Sequence, residues 1–478
     1  MLYPQEARAV FMGAIERFNA KNIPLSNGSV ARLTGASFND YGSTAKIGTP
    51  ANQASLWIPP LSAITVESAT AEREIGACES LMSTRLGAAV RPIDTFILSA
   101  NKEKLSLLSL VSPNVDSKLR AAVVTGAPRF SSSGLITALA TSADVAKMPL
   151  DQLSAQNIST YKTSIGDAQE RVRNYFVDDQ TALEWLAGRP GGDPLIVITT
   201  EQSFKSFQTY HPSEPLEWFP LNTPVASLDY PLCDIITKSD TPDDLEAAKL
   251  ARAFLLSDEF KSLASGAGFS AAIPGANAPS QPLGGALREL LTLWPQIRSP
   301  SSTVFVVDTS IKTDLTNMET IRRELSLFVD SRPSKEDRVA LISASSDPQV
   351  MRDLETDPEL IKLSISRLTT AGGNAIQDGI GTALSMFDDL SSTSSRRSVV
   401  VFTSAKDTSS QTTVEQLTNR ASQLVGRRNV DLIVIAIGVA EQDFGELPAV
   451  TRKVGGTFVL TDIPSLPGKF YAIARRVQ

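Results

Sequence analysis

Asp308, Thr309 and Ser310 follow directly on a run of five apolar or β-branched residues, Thr303 to Val307. A short unbroken run of that kind suits a strand buried on both faces, as in a parallel sheet. The polar residues then fall at the strand's carboxyl end, the edge where open α/β sheets bind ligands. A second group is Ser131, Ser132 and Ser133, set ahead of the apolar stretch Leu135 to Leu139. Free N–H groups at the start of such a helix favour an anion or a polar ligand, and a plain helix cap accounts for the same residues. Carboxylates such as Glu201 and Asp229 are scattered, and read as structural rather than as a catalytic pair.

Other chemistry is thinly provided. The single histidine, His211, lies in the proline-flanked stretch QTYHPSEP and supports no triad or histidine metal site alone. There is no Walker loop and no cysteine cluster. The two cysteines, Cys78 and Cys233, read as free buried thiols, with a disulfide as the alternative. A net charge of −7 and a pI near 5.1 argue against a general nucleic-acid binder. The basic pairs Arg396-Arg397 and Arg427-Arg428 read as solvated loop charges. No run approaches the ~18 apolar residues of a membrane span, and MLYPQEARAV has no signal-peptide core.

At 478 residues the chain calls for two or three domains. Residues 4 to 20 have helical spacing in Val10, Phe11, Ala14, Ile15 and Phe18. Strands are expected at Ala54–Ile58, Leu86–Val90, Thr95–Ser99, Pro194–Thr200 and within Pro224–Ile236. Helices are expected near Leu105–Leu110 and Leu245–Leu256. The stretch AIPGANAPSQPL, from Ala272, reads as a linker, and Leu287–Leu293 as a short connecting helix. Beyond residue 300, strands at Arg338–Ser343, Ser398–Thr403, Val430–Ile437 and Thr457–Leu460 alternate with helices. That alternation predicts a doubly wound, mostly parallel sheet.

The order of Ser55-Leu-Trp-Ile-Pro59, Ser131-Ser-Ser-Gly134, Thr200-Glu-Gln202, Leu228-Asp-Tyr-Pro231 and Ala267-Gly-Phe269 resembles bacterial extracellular solute-binding proteins of the type 2 periplasmic fold. The resemblance implies an α/β, two-lobed domain at 1–271, with crossovers near Arg91–Thr95 and Tyr230–Ile236 and a short or missing first strand. It implies a cleft bordered by Trp57, Ser132, Ser133, Glu201 and Asp229. Residues 272–299 are then linker and connecting helix.

The stretch Asp308-Thr309-Ser310-Ile311-Lys312 resembles the metal loop of a von Willebrand factor A domain, and that resemblance covers 300–478. The family's second Ser is Lys312 here, its Thr is Asn374, and its Asp is Ser404. Such sites hold magnesium or manganese through oxygens. Three arrangements are open: a degenerate site in which Lys312 neutralises Asp308, a weak metal site rescued by Asn374 and nearby Asp407 or Asp378, or a watered pocket with Lys312 in solvent. The resemblances imply a non-enzymatic, extracytoplasmic binding or adhesion protein, with no cofactor and a protein partner. The alternative is a sensor or receptor taking a small solute in the cleft. A membrane would be reached only through an anchor outside this chain.

Overall fold

The computed structural model describes residues 1–41, 54–66, 73–99, 105–112, 121–189, 194–221, 227–237, 240–272, 282–298, 300–332, 334–388, 396–425 and 430–477. The chain divides into two compact units. The first holds Met1–Gln169, Phe176–Glu184 and Leu195–Ile297; the second holds Glu170–Tyr175, Trp185–Pro194 and Arg298–Gln478.

The second unit contains a six-stranded sheet in the order Pro348–Glu355, Arg338–Ala344, Ser301–Asp308, Arg396–Thr403, Val430–Ile437, Thr457–Thr461. All neighbours are parallel except the first pair. Successive residues of the central strand face opposite layers, as the pleat requires. Val304 and Val306 pack with the helices Ile376–Ser385 and Val414–Val425. Phe305 and Val307 pack with the helices Leu315–Asp330 and Leu466–Val477. Burial of each such side chain contributes roughly 1.5–3 kcal/mol. Both faces are covered, which is why these strands read as continuous apolar runs.

The first unit has two sheets. One runs Ala36–Phe38, Leu2–Pro4, Leu56–Trp57, Pro231–Thr237, Arg73–Ser80. In the other, Met82–Val90 pairs antiparallel with Leu195–Thr200, which pairs parallel with Ala122–Gly126. The chain passes from the first sheet to the second at Leu81 and returns through Asp229 and Tyr230. These passages lie side by side: Leu81 N donates to Tyr230 O at 3.2 Å, and Ser80 Oγ to Asp229 O at 3.1 Å. Next to them, Cys78 and Cys233 are joined in a disulfide across an antiparallel strand pair.

Several expectations are corrected. The cysteines are not free thiols. The first passage is at Leu81, not near Arg91–Thr95, because Met82–Val90 belongs wholly to the second sheet. Thr95–Ser99 is a helix; its short apolar run lacks a partner strand to fix it as β. The first strand, expected short or missing, is short, at Leu2–Pro4. Arg396 and Arg397 are buried in the strand Arg396–Thr403, with the Arg396 guanidinium over the Tyr175 ring at 5.3 Å. Residues 427–428 and most of the linker, 273–281, lie outside the described residues. The connecting helix is longer than expected, at Ala286–Ile297.

Candidate functional sites

In the second unit, the central strand ends at Asp308, which is buried between its two parallel neighbours. Four donor groups lie within hydrogen-bond distance of the Asp308 carboxylate, the Thr403 hydroxyl also reaching Ala405 O at 2.8 Å. Ser310 N donates to Oδ1 at 2.9 Å. Asn374 Nδ2 (3.1 Å), Thr403 Oγ1 (3.2 Å) and Ser404 N (2.9 Å) all approach Oδ2. Three loops therefore meet on one carboxylate, and each is fixed locally. Asn374 is held by its own backbone, with its carbonyl accepting from Thr408 N and Ser409 N at 2.8 and 3.0 Å. Gly372 ahead of it has φ +71°, and a Cβ there would lie 2.5 Å from Ser346 Oγ. Only glycine suits that backbone without strain.

The Asn374 side chain is oriented unambiguously by its neighbours. Its Nδ2 donates to Asp308, to Ala405 O at 3.0 Å and toward Thr403 Oγ1 at 3.4 Å. Its Oδ1, like Ser310 Oγ, is buried with no hydrogen-bond partner among the described residues.

Lys312 is exposed, so Asp308 is met by an amide rather than an ammonium. The reason is local. Thr313 is the residue that turns inward, donating from Oγ1 to Asp308 O at 3.1 Å, while Ile311 and Lys312 face out. Ser404 meets Asp308 through its backbone N–H. Asp407 and Asp378 are committed elsewhere. Asp407 accepts from Gln377 N, Ser409 N and Ser410 N, and Asp378 from Gln411 N and Thr412 N. Thr403 was not singled out in the sequence; its position at the end of an apolar run, beside Ser404, was the available signal.

The five residues expected around one cleft in the first unit are not brought together. Trp57 is wholly buried, with its ring 6.4 Å from that of Phe38. Glu201 is held by Arg85 at 2.9 Å and Lys205 at 3.0 Å. Asp229 accepts from Ser62 N at 3.0 Å and from the Ser62 hydroxyl. Ser133 lies behind the surface. Ser132 alone lines a cleft, of about 750 Å³.

Beside Ser131, Ser132, Gln202 and His211, the cleft is lined by residues the sequence did not flag, Glu6 and Asp179 among them. Three helices begin there: Ser132–Val145, Asp179–Ala187 and Glu201–Tyr210. Asp179 sits among their starts. It accepts from Ser131 Oγ (3.0 Å), Ser133 Oγ (2.5 Å), Thr199 Oγ1 (2.8 Å) and Thr200 N (3.2 Å). Burial raises its carboxyl above the usual range against those hydrogen bonds. Facing it is Glu6, on the single turn Gln5–Ala7. Glu6 Oε1 lies 3.3 Å from the Tyr230 hydroxyl and 3.4 Å from that of Tyr41. Burial, with the nearby Asp179 charge adding to it, pushes the Glu6 carboxyl up to about 7 despite the Ser132 and Tyr230 hydrogen bonds. Tyr230 is one of three non-glycine residues with positive φ among the described residues, at +32°. No local pattern links positions 6, 41, 179 and 230, so only the fold discloses them.

Residues 303–432 match the family model described as von Willebrand factor type A domain, and the second unit carries such a domain. No curated protein matches the chain. Among solved structures, similar chains include a von Willebrand factor type A protein from Catenulispora acidiphila, at 21% identity and TM-score 0.31. That match covers 37% of this chain and 42% of the other, so this chain spans under half the length of that relative. Another is the vWF domain of the type V pili tip protein Mfa5 from Porphyromonas gingivalis, at 13% identity, TM-score 0.30, and 37% and 95% coverage. A third is the PilB minor pilin from Streptococcus sanguinis, at 12% identity, TM-score 0.32, and 41% and 63% coverage.

Proposed function

We propose that the chain is a non-enzymatic binding protein, working outside the cytoplasm, whose A domain docks a protein partner without a metal ion. The observation that carries this reading is the state of Asp308. Its carboxylate is already met by four protein donors. The amide hydrogens of Asn374 occupy the side of Asp308 that a cation would need, and Ser404 supplies no second carboxylate. Ser310 Oγ and Asn374 Oδ1 are oxygen donors left over, but a hard cation with one carboxylate is weakly held. The residues therefore fit magnesium or manganese poorly.

Around this closed polar centre the loop turns Ile311 (72% exposed), Lys312 and, at the following helix, Leu315 (74% exposed) outward. Apolar side chains rimmed by polar groups mark interaction surfaces. The Cys78–Cys233 disulfide supports an oxidising compartment. Among the described residues, no helix is long and apolar enough to cross a membrane.

A pull-down from a surface or matrix extract tests the reading, with immobilised chain, with and without chelator. A specific partner retained in chelator and lost in the double variant Ile311→Asp, Leu315→Asp supports it. A partner that needs manganese restores a metal-dependent site. The cleft of the first unit favours a second reading, a receptor for a small solute, since its volume suits such a ligand.

A further inference from the structure

We propose that the cleft of the first unit takes a small organic cation, an amine whose ammonium docks against Glu6. The proposal rests on the solute-binding reading. Three helix starts converge there, an arrangement that by itself would call for an anion. The chain has already supplied one: Asp179 fills that position and uses the hydroxyls of Ser131, Ser133 and Thr199 and the Thr200 amide. A second anion would meet Asp179 and Glu6 at close range.

Glu6 is the opposite case. Its described neighbours are hydroxyls, from Tyr41, Tyr230 and Ser132, and the facing charge is that of Asp179. Hydroxyls stabilise a carboxylate without neutralising it. Asp179 is buried and Glu6 half-buried, and two neighbouring carboxylates so placed favour a proton or a cation beside them. The rim gives little compensation. His211 is engaged by Glu184 at 3.5 Å and Glu214 at 3.7 Å, and Arg8 is exposed. The walls add what an alkylamine requires. Met12 (48% exposed) offers apolar surface, and Tyr210 (69% exposed) offers a ring face to a cation.

Burial holds Glu6 partly protonated near neutrality, where its carboxyl titrates at about 7. The groups around it are Asp179, Tyr41 and Tyr230, with Arg8, Asp178, Glu184, Tyr210 and His211 lining the same cleft. Both tyrosines are held well above their ordinary value by burial, so they remain donors. An ammonium displaces the proton, and its affinity rises with pH until Glu6 is fully ionised.

Isothermal titration of the full chain with putrescine, spermidine and agmatine tests this, at pH 6 and pH 8, beside succinate, sulfate, glucose and calcium chloride. The expected result is saturable binding of at least one amine, several-fold tighter at pH 8, and at least tenfold weaker in Glu6→Gln. A second variant, Met12→Trp, narrows the cleft from its exposed wall and should weaken the same amine. Absence of binding across the amine panel overturns the proposal, as does amine binding that Glu6→Gln leaves unchanged. Succinate, sulfate or glucose bound in its place, and lost in Met12→Trp, keeps the solute reading and overturns the cation. Calcium binding that Glu6→Gln abolishes, with no amine bound, assigns the cleft to a metal and overturns the proposal. If no compound binds, the solute reading falls too, while partner capture by the A domain stands untouched.

Discussion

Asn374 Nδ2 donates to Asp308 Oδ2 at 3.1 Å, and through that bond an uncharged amide meets a buried carboxylate at the carboxyl end of the central strand. Thr403 and Ser404 complete the set from the neighbouring strand. The arrangement leaves Lys312 to the solvent.

Millimolar magnesium or manganese should therefore leave the melting temperature unchanged. The triple variant Lys312→Ser, Asn374→Thr, Ser404→Asp should gain metal-dependent stabilisation, by about 2.7 kcal/mol when the metal is at a hundred times its dissociation constant. Differential scanning calorimetry with and without chelator reads both. Tight, saturable manganese binding to the unmodified chain would sink the closed-centre account.

Removing the acceptor should be costly. Asp308→Ala removes the acceptor of the Ser310 and Ser404 N–H groups and leaves the Asn374 amide only Ala405 O and Thr403 Oγ1, each unsatisfied buried group being worth ~1–3 kcal/mol. Urea denaturation should show a loss of several kcal/mol, and Lys312→Ala a change within about 0.5 kcal/mol. A large effect of Lys312→Ala would mean that the lysine does meet Asp308.

A second buried acid carries the base of the same sheet. Arg298 Nη2 donates to Asp337 Oδ2 at 2.5 Å, both side chains buried, and Asp337 also accepts from Ser301 N and Ser301 Oγ. Burial would raise the Asp337 carboxyl, but Arg298 and the Ser301 hydrogen bonds outweigh it and hold the carboxyl below its usual range. The stabilisation is thus present above the unfolded carboxylate range and lost as pH falls through the lowered folded value. Asp337→Ala should cost roughly 3–5 kcal/mol, because a buried guanidinium loses this carboxylate. An acid-titration midpoint unmoved by that substitution would count against the pair.

Glu6 gives the opposite pH response. Its folded carboxyl lies at about 7, against 4.5 when unperturbed. The folded state therefore binds the proton more tightly, and stability falls as pH rises from about 4.5 to 7. Glu6→Gln should remove that slope and raise the melting temperature at pH 8, by up to about 3 kcal/mol of stability, since one pK unit is about 1.4 kcal/mol. Parallel melting curves for both chains between pH 5 and 8 would contradict the assignment.

What the sequence disclosed follows from how each element is buried. The strands Ser301–Asp308 and Val430–Ile437 are covered on both faces, so they stand out as apolar runs. The edge strand Pro348–Glu355 is half exposed, without clean alternation, and left no readable signal. Asp308, Ser310, Asn374 and Ser404 lie at strand ends and in loops fixed by that same sheet, so their meeting was legible, while the direction of Lys312 depended on the turn that draws Thr313 inward. In the first unit, Trp57 and Asp229 look polar or aromatic enough for a cleft but are consumed by the core and by Ser62. Glu6 and Asp179 meet only because two sheets and three helix starts bring distant segments together, and no local spacing records that.

The Cys78–Cys233 bond, which spans 155 residues of sequence, has a topological consequence. It sits at the neck where the chain leaves the first sheet and returns to it, so everything between the two cysteines forms one covalent ring. A single protease cut within that ring opens it and releases nothing. On a non-reducing gel the nicked protein should migrate near its uncut position, and reductant should split it into two fragments.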